Sequence, residues 1–185
     1  IGLAFDGDAD RCLAVDEKVY MVDCDFLIAI CADDMHRRGV LKGNAVVGTV
    51  MTNMGFQKFC EEKGLRFEAT KVGDRYVLEE MQLSGYNIGG EQSGHIIFSD
   101  YATTGDGQLT GVQLISIMKR RNETLSEMAK VMKRYPQVLI NVKIYNEMKP
   151  KFYTEKAIKA EVKQVTDILG SRGRTVSYKQ LTLPT

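Results

Sequence analysis

Asp6-Gly7-Asp8-Ala9-Asp10-Arg11 stands between two apolar runs, residues 1–5 and residues 12–15. Three carboxylates at alternate positions of an extended segment project to one side of the backbone. Gly7 and Ala9 leave the chain room to curl. Three such charges ~5 Å apart repel by on the order of 3 kcal/mol per pair at an effective dielectric of ~20. A hard divalent cation with oxygen ligands offsets that repulsion, and Mg2+ suits a site with few protein ligands. Arg11, a cation beside the acids, suits an anionic substrate oxygen. Two rivals stay open. Asp6, Asp8, Asp10 and Glu17 match the EF-hand ligand spacing, but Arg11 stands where that loop needs Gly, and the flanks read as strands. The other rival is a solvated acidic turn.

Outward from this loop, strand-like segments rich in Val, Ile and Leu fall at 1–5, 11–15, 44–50, 66–70, 86–89, 95–98 and 137–145. Helical patterns alternate with most of them. The first covers 24–38, with Leu27, Ile30, Cys31 and Met35 on one face and Gly39 as its stop. Others cover 53–63, 74–83 and 107–121, and a further one opens at the capping box Thr124-Leu-Ser-Glu127. Strands alternating with helices predict an α/β layered fold with a mixed, mostly parallel sheet. The alternation within 24–134 suffices for one complete domain. After Pro136 it restarts as one strand and one helix, 153–169, with Ile158, Val162, Val165 and Leu169 at helical spacing. That pair cannot bury its apolar face alone, so 135–185 is expected to open a second domain. The start inside a strand and the patternless residues 177–185 suggest a fragment with a non-native tail.

Two further loops carry binding chemistry. Gly89-Gly-Glu-Gln-Ser-Gly-His95 separates two apolar strands, and its glycines permit close backbone approach to a ligand. Glu91 and Ser93, two apart, are expected on one side, where they suit sugar hydroxyls or an amino group; a plain hairpin turn is the alternative. Lys71-Val-Gly-Asp-Arg75 closes a strand and opens a helix, a usual place for binding groups. Lys71 and Arg75 suit phosphate there, unless they are only solvated surface. Thr103-Thr-Gly-Asp-Gly107 reads as a helix cap at Asp106.

Composition sets the class. The 185 residues are 44% hydrophobic and 26% charged, with a net charge of +1 and interspersed signs. Neither a nucleic-acid nor a membrane partner is expected from that distribution. No apolar run approaches the ~20 residues of a membrane helix. Cys12, Cys24, Cys31 and Cys60 form no CxxC pair and sit in apolar contexts, which fits buried thiols and a cytoplasmic location.

Together these motifs resemble the α-D-phosphohexomutase superfamily, closest to its bacterial phosphoglucosamine mutase branch. The stretch Asp6 to Arg11 looks like the superfamily's metal loop; Lys71-Val-Gly-Asp-Arg75-Tyr-Val, Gly90-Glu-Gln-Ser-Gly-His95 and Thr103-Thr-Gly-Asp-Gly107 follow in its order over 1–176. The resemblance implies four domains around a cleft, with 1–23 ending the second, 24–134 forming the third and 135–176 beginning the fourth. It implies interconversion of glucosamine 6-phosphate and glucosamine 1-phosphate through a phosphoserine and a bisphosphate intermediate, feeding UDP-N-acetylglucosamine and cell-wall synthesis. Phosphomannomutase or phosphoglucomutase activity is the alternative within the superfamily, and Gln92 leans toward the glucosamine branch. A non-catalytic divalent-metal-binding α/β module is the alternative outside it.

By position, Asp6, Asp8 and Asp10 would hold Mg2+ and Arg11 would meet the transferring phosphoryl group or the sugar. Glu91 and Ser93 would bind the sugar, with Arg75 also binding substrate. Lys71 and His95 would serve proton transfer or oxyanion stabilisation. The superfamily's phosphoserine loop and its Arg-x-Ser-Gly-Thr phosphate loop are not found in these 185 residues. The implied partners are therefore a phosphorylated hexosamine and the missing domains of a parent chain, and the isolated chain is expected to be inactive.

Overall fold

Ala45, Val46 and Val47 leave β4 (Ala45–Thr49) on alternate faces, and all three are fully buried. A strand apolar on both sides needs a layer above and a layer below. The computed structural model, which describes residues 1–152 and 154–178 without the side chains of Asn146 and Lys149, supplies both. Val46 joins one apolar cluster with α1 (Cys24–Arg37), α2 (Met54–Lys63) and α4 (Gly107–Arg121), together with Ile88, Ile96 and Phe98. Ala45 and Val47 join a smaller one with Val77 and Met81 of α3 (Asp74–Ser84), Tyr86 and Ile97.

The four-stranded sheet runs in the order β5-β4-β6-β7, where β5 is Arg66–Thr70, β6 Ile88–Gly90 and β7 Ile96–Phe98. β4 pairs parallel with β5 and with β6, and β7 closes antiparallel on β6. The expected mixed, mostly parallel sheet is therefore observed. A separate antiparallel sheet joins β1 (Gly2–Phe5), β2 (Cys12–Val15) and the short β3 (Met21–Val22), the last of which the sequence pattern does not suggest. Strand bounds shift slightly: the segment expected at 86–89 begins at Ile88, because Tyr86 packs in the smaller cluster and Asn87 holds Asp100 and the Val40 carbonyl.

Helix ends follow local chemistry. Asp23, Asn53 and Asp106 cap α1, α2 and α4 by accepting from Phe26, Gly55 and Leu109 N–H groups. Gly64 and Gly85 end α2 and α3 in the left-handed conformation. The capping box at Thr124 forms as read and opens α5 (Leu125–Met128). The four cysteines are buried free thiols. One expectation changes for α1. Beyond the face read from sequence, Ile28, Ala29, Ala32, Asp33 and Asp34 are also buried, because the helix is packed by the sheet, α2 and α4 together.

Burying two acids on α1 requires cations. Asp33, 1% exposed, meets Arg37 at 2.9 Å, Lys63 at 2.9 Å and Arg121 at 3.0 Å. Asp34 meets Arg38 and Arg120, both at 2.7 Å, and Arg121 at 3.5 Å. Burial pushes the Asp34 carboxyl up, but Arg120 and Arg38 outweigh it and hold the group below the usual range. The network fastens α2 and α4 to α1.

Residues from Pro136 onward form a second unit. The strand expected at 137–145 is not formed among the described residues: Val138, Leu139, Ile140 and Val142 are exposed and pair with no neighbouring strand. An extended segment gains ladder hydrogen bonds only from an adjacent edge. The helix does form, as α7 (Lys156–Leu169) after the single turn α6 (Lys149–Phe152), and it stops at Gly170 as expected. Of the expected tail at 177–185, residues 179–185 lie outside the described residues. No described helix is long and apolar enough to cross a membrane.

Replacing Asp33 by Ala leaves Arg121, itself 11% exposed, with one acid fewer. Urea denaturation is expected to show a loss of about 3 kcal/mol, whereas Arg37→Ala at the exposed end of the same network is expected to cost less than about 1 kcal/mol.

Candidate functional site

The aspartate loop is not the extended segment that alternation suggested. Ala9 N–H donates to the Asp6 carbonyl at 3.1 Å, and Ala9 adopts φ 58°, so the chain turns between β1 and β2. The turn still gathers the acids: one carboxylate oxygen from each of Asp6, Asp8 and Asp10 lies within 4.8 Å of the others. Arg11 closes the loop on itself. Its backbone N–H donates to Asp6 Oδ1 at 3.2 Å, and its Nε lies 3.5 Å from Asp6 Oδ2 and 4.0 Å from Asp10 Oδ1.

The 89–95 loop is fastened to this turn. Arg11 and His95 form an antiparallel bridge, and Cys12 N–H donates to the Gly94 carbonyl at 3.2 Å. Gly94 has φ 120°, and a Cβ there would lie 2.8 Å from the Arg11 Cβ, so backbone conformation and close approach both require glycine. His95 Nε2 lies 2.5 Å from Asp10 Oδ2, and this hydrogen bond holds the Asp10 carboxyl below its usual range against the opposing effect of burial. The other imidazole nitrogen, Nδ1, faces Glu91 Oε2 at 3.8 Å. His95 is thus hydrogen-bonded to Asp10 on one side and faces Glu91 without a hydrogen bond on the other.

Glu91 and Ser93, expected on one side, differ in exposure. Glu91 is buried, and its Oε1 accepts the Gly73 N–H at 2.8 Å, whereas Ser93 is exposed. The reason is the turn closed by Gly94 N–H to the Glu91 carbonyl at 3.1 Å, which replaces extended alternation by corners. Through Gly73 the Glu91 carboxylate also holds the 71–75 loop. Lys71 lies over the Tyr76 ring at 5.6 Å, and Arg75, largely exposed, pairs with Glu79 at 2.8 Å on its own helix. These two cations stand at the loop but touch neither the aspartates nor Glu91 in the contacts described.

Two contributors escaped the sequence reading. The start of α4 lies against the aspartate loop: Gly107 N–H donates to the Ala9 carbonyl at 2.9 Å, and any Cβ at Gly107 would run into the Arg11 carbonyl. Asp106 caps the helix as read, and the glycines around it were the unread signal of a close approach. Asp25 was the second. It is 1% exposed, and its Oδ2 accepts from Asn53 N–H at 2.9 Å and from Gln92 Nε2 at 3.2 Å. Gln92 therefore faces α1.

The loops gather at the carboxyl ends of the parallel strands, where α/β sheets place ligands. Residues 23–135 match the family described as phosphoglucomutase/phosphomannomutase, alpha/beta/alpha domain III. The chain belongs to that family. Among curated proteins, it is 54% identical over 176 residues to phosphoglucosamine mutase from Caldanaerobacter subterraneus subsp. tengcongensis, covering 95% of the chain and 39% of that protein. The phosphoglucosamine mutase of Clostridium novyi is 52% identical over the same shares. The chain thus spans about two-fifths of the length of these relatives.

Solved structures agree on the fold. A putative phosphomannomutase from Thermus thermophilus superposes with TM-score 0.65 at 26% identity, over 69% of this chain and 29% of that one. The Aspergillus fumigatus N-acetylphosphoglucosamine mutase in complex with GlcNAc-6P and magnesium has TM-score 0.68 at 19% identity, over 90% of this chain and 43% of that one.

Gly94→Ala tests the junction of the two loops. Strain at φ 120° together with contact against Arg11 is expected to cost about 2 kcal/mol or more in chemical denaturation. Amide shifts of residues 6–11 are expected to move with it in NMR spectra; unchanged shifts would mean that the loops are not joined there.

Proposed function

We propose that the chain is the metal-loop and sugar-loop portion of a phosphoglucosamine mutase, which interconverts glucosamine 6-phosphate and glucosamine 1-phosphate through a phosphoserine and a bisphosphate intermediate. The observation that carries this reading is the hydrogen bond between Asp10 and His95, which joins the aspartate turn, read as the cation site, to the 89–95 loop, read as facing the sugar. The names and identities of the bacterial relatives favour the glucosamine substrate. Residues 1–23 then end a second domain, 24–134 make the third, and 135–176 begin a fourth. A cytoplasmic location goes with this reading.

The aspartates fit a hard cation. Their oxygens lie within 4.8 Å of each other, and Asp10 Oδ1 is buried without a hydrogen-bond partner. Asp6, Asp8 and Asp10 would hold Mg2+, which when bound neutralises charge on a transferring phosphoryl group. The remaining work falls to side chains. Arg11, half exposed beside the acids, orients phosphoryl oxygens. Glu91 and Ser93 take the sugar hydroxyls, Glu91 with the lone pairs that Gly73 leaves available. Lys71 and Arg75 release Tyr76 and Glu79 to meet a phosphate or stabilise an oxyanion. His95, enclosed between two carboxylates, orients Asp10 and stands next to any proton transfer at the sugar. The phosphoryl donor is supplied by another part of the parent protein.

Isothermal titration of the chain is expected to show Mg2+ binding that Asp8→Asn weakens by about tenfold or more. In the full-length protein the same substitution is expected to lower kcat by about 100-fold or more. The isolated chain with glucosamine 1,6-bisphosphate is expected to show no turnover. Strong preference for Ca2+, with no influence of sugar phosphate, would instead indicate a plain metal-binding module. Faster turnover of mannose or glucose 1-phosphate than of the glucosamine ester would move the assignment to the sister activities.

A further inference from the structure

Asp25 is a carboxylate sealed from solvent in the first turn of α1, near the positive end of that helix. Two donors converge on its Oδ2: Asn53 N–H at 2.9 Å and Gln92 Nε2 at 3.2 Å. The Asn53 side is firm. Thr52 Oγ1 accepts from Thr49 N–H, Thr49 Oγ1 accepts from Met51 N–H, and the Asn53 side chain caps α2 and donates to the Tyr135 carbonyl. The Gln92 side is a turn closed by Glu91 N–H on the His95 carbonyl at 2.9 Å and Gly94 N–H on the Glu91 carbonyl at 3.1 Å, neither of which holds it to α1. A carboxylate can only accept, so the Gln92 amide must present its NH2 group to Asp25, and its direction is fixed.

We propose that Asp25 is a positioning residue for the sugar loop, acting through Gln92, so that the amide of Gln92 is an anchor and not a contact to the sugar. Beyond its backbone bonds to Arg11 and Cys12, the loop then has three side-chain fastenings: Gln92 on Asp25, Glu91 on Gly73 and His95 on Asp10. Glu91 and Ser93, which flank Gln92, are presented to the substrate by that anchor. The selectivity that Gln92 suggested in the sequence belongs to the shape of the turn it fixes. This inference rests on the proposed sugar-binding reading of the loop.

A double-mutant cycle tests it. Gln92→Glu sets two carboxylates against each other at Oδ2 of Asp25 and is expected to raise KM for the sugar phosphate about tenfold in the full-length protein, with kcat within about threefold and Mg2+ affinity unchanged. In an Asp25→Ala background, where the opposing carboxylate is gone, Gln92→Glu is expected to change KM by less than about threefold further. Amide hydrogen exchange at residues 91–94 of the 185-residue chain is expected to quicken about fivefold on Gln92→Glu in the parent and to change little on the same substitution in the Asp25→Ala background. A KM cost of Gln92→Glu as large in the Asp25→Ala background as in the parent overturns the proposal, because a direct sugar contact by the Gln92 amide would not depend on residue 25. Unchanged exchange in the single Gln92→Glu variant overturns it as well. Glu91→Gln, measured alongside, reports on the underlying reading: if KM ignores Glu91 while exchange follows the cycle, the sugar assignment fails and the anchor stands.

Discussion

The contact between His95 and Asp10 is the constraint on which the site depends. It spans 85 positions of sequence at 2.5 Å and joins the turn of the antiparallel sheet to the edge hairpin of the parallel one. Asp10 has two oxygens with different surroundings: one is engaged by the imidazole, and the other is buried with no hydrogen-bond partner. A carboxylate with one oxygen held keeps its direction, so a cation binding at the other would cost little ordering entropy. Without His95, Asp10 would keep only the more distant Arg11 guanidinium, at 4.0 Å, to offset repulsion from the other two acids.

The parallel sheet brings the parts to one place. β4 lies between β5 and β6, so the loops that leave the carboxyl ends of all three are neighbours. Their backbone groups are then satisfied across loops as well as within them: Gly73 donates to Glu91, and Asn53 to Asp25. The arrangement holds only while α1 keeps its place under the sheet. The network around Asp33 and Asp34 ties α1 to α2 and α4, and α4 in turn abuts the aspartate turn through Gly107. Buried acids far from the chemistry thereby fix the floor of the site.

What was legible in the sequence was local. Caps at Asp106 and Thr124, glycine stops at Gly64, Gly85 and Gly170, and the period-2 apolar strands need only neighbours in the chain. The clustering of the three aspartates was legible because acids at alternate positions of one short turn stay close whatever the rest of the fold does. Failures arose where a distant residue decides. Alternation treats Glu91 and Ser93 alike, but the turn closed by Gly94 leaves one buried and the other exposed. The apolar stretch 137–145 has strand composition, yet strand formation needs an edge that composition does not provide. Asp25 looked like an ordinary acid in a helix's first turn, and only the fold shows which donors reach it.

The site also divides into firm and loose parts. Glu91, Gln92 and His95 are each bonded to a different element, so the 89–95 loop is formed without a ligand, and little binding energy would be lost in ordering it. Lys71 and Arg75 are held by an aromatic face and a surface ion pair, interactions worth on the order of 1 kcal/mol or less each. A phosphate, with two charges and several acceptor oxygens, outcompetes such partners readily. Under the proposed function, a bisphosphate that turns end for end between two transfers suits this division: a fixed grip on the hexose, and long cations that follow a phosphate whose position changes. On the proposed reading, rigidity at the sugar loop and looseness at the 71–75 loop are two requirements of one reaction.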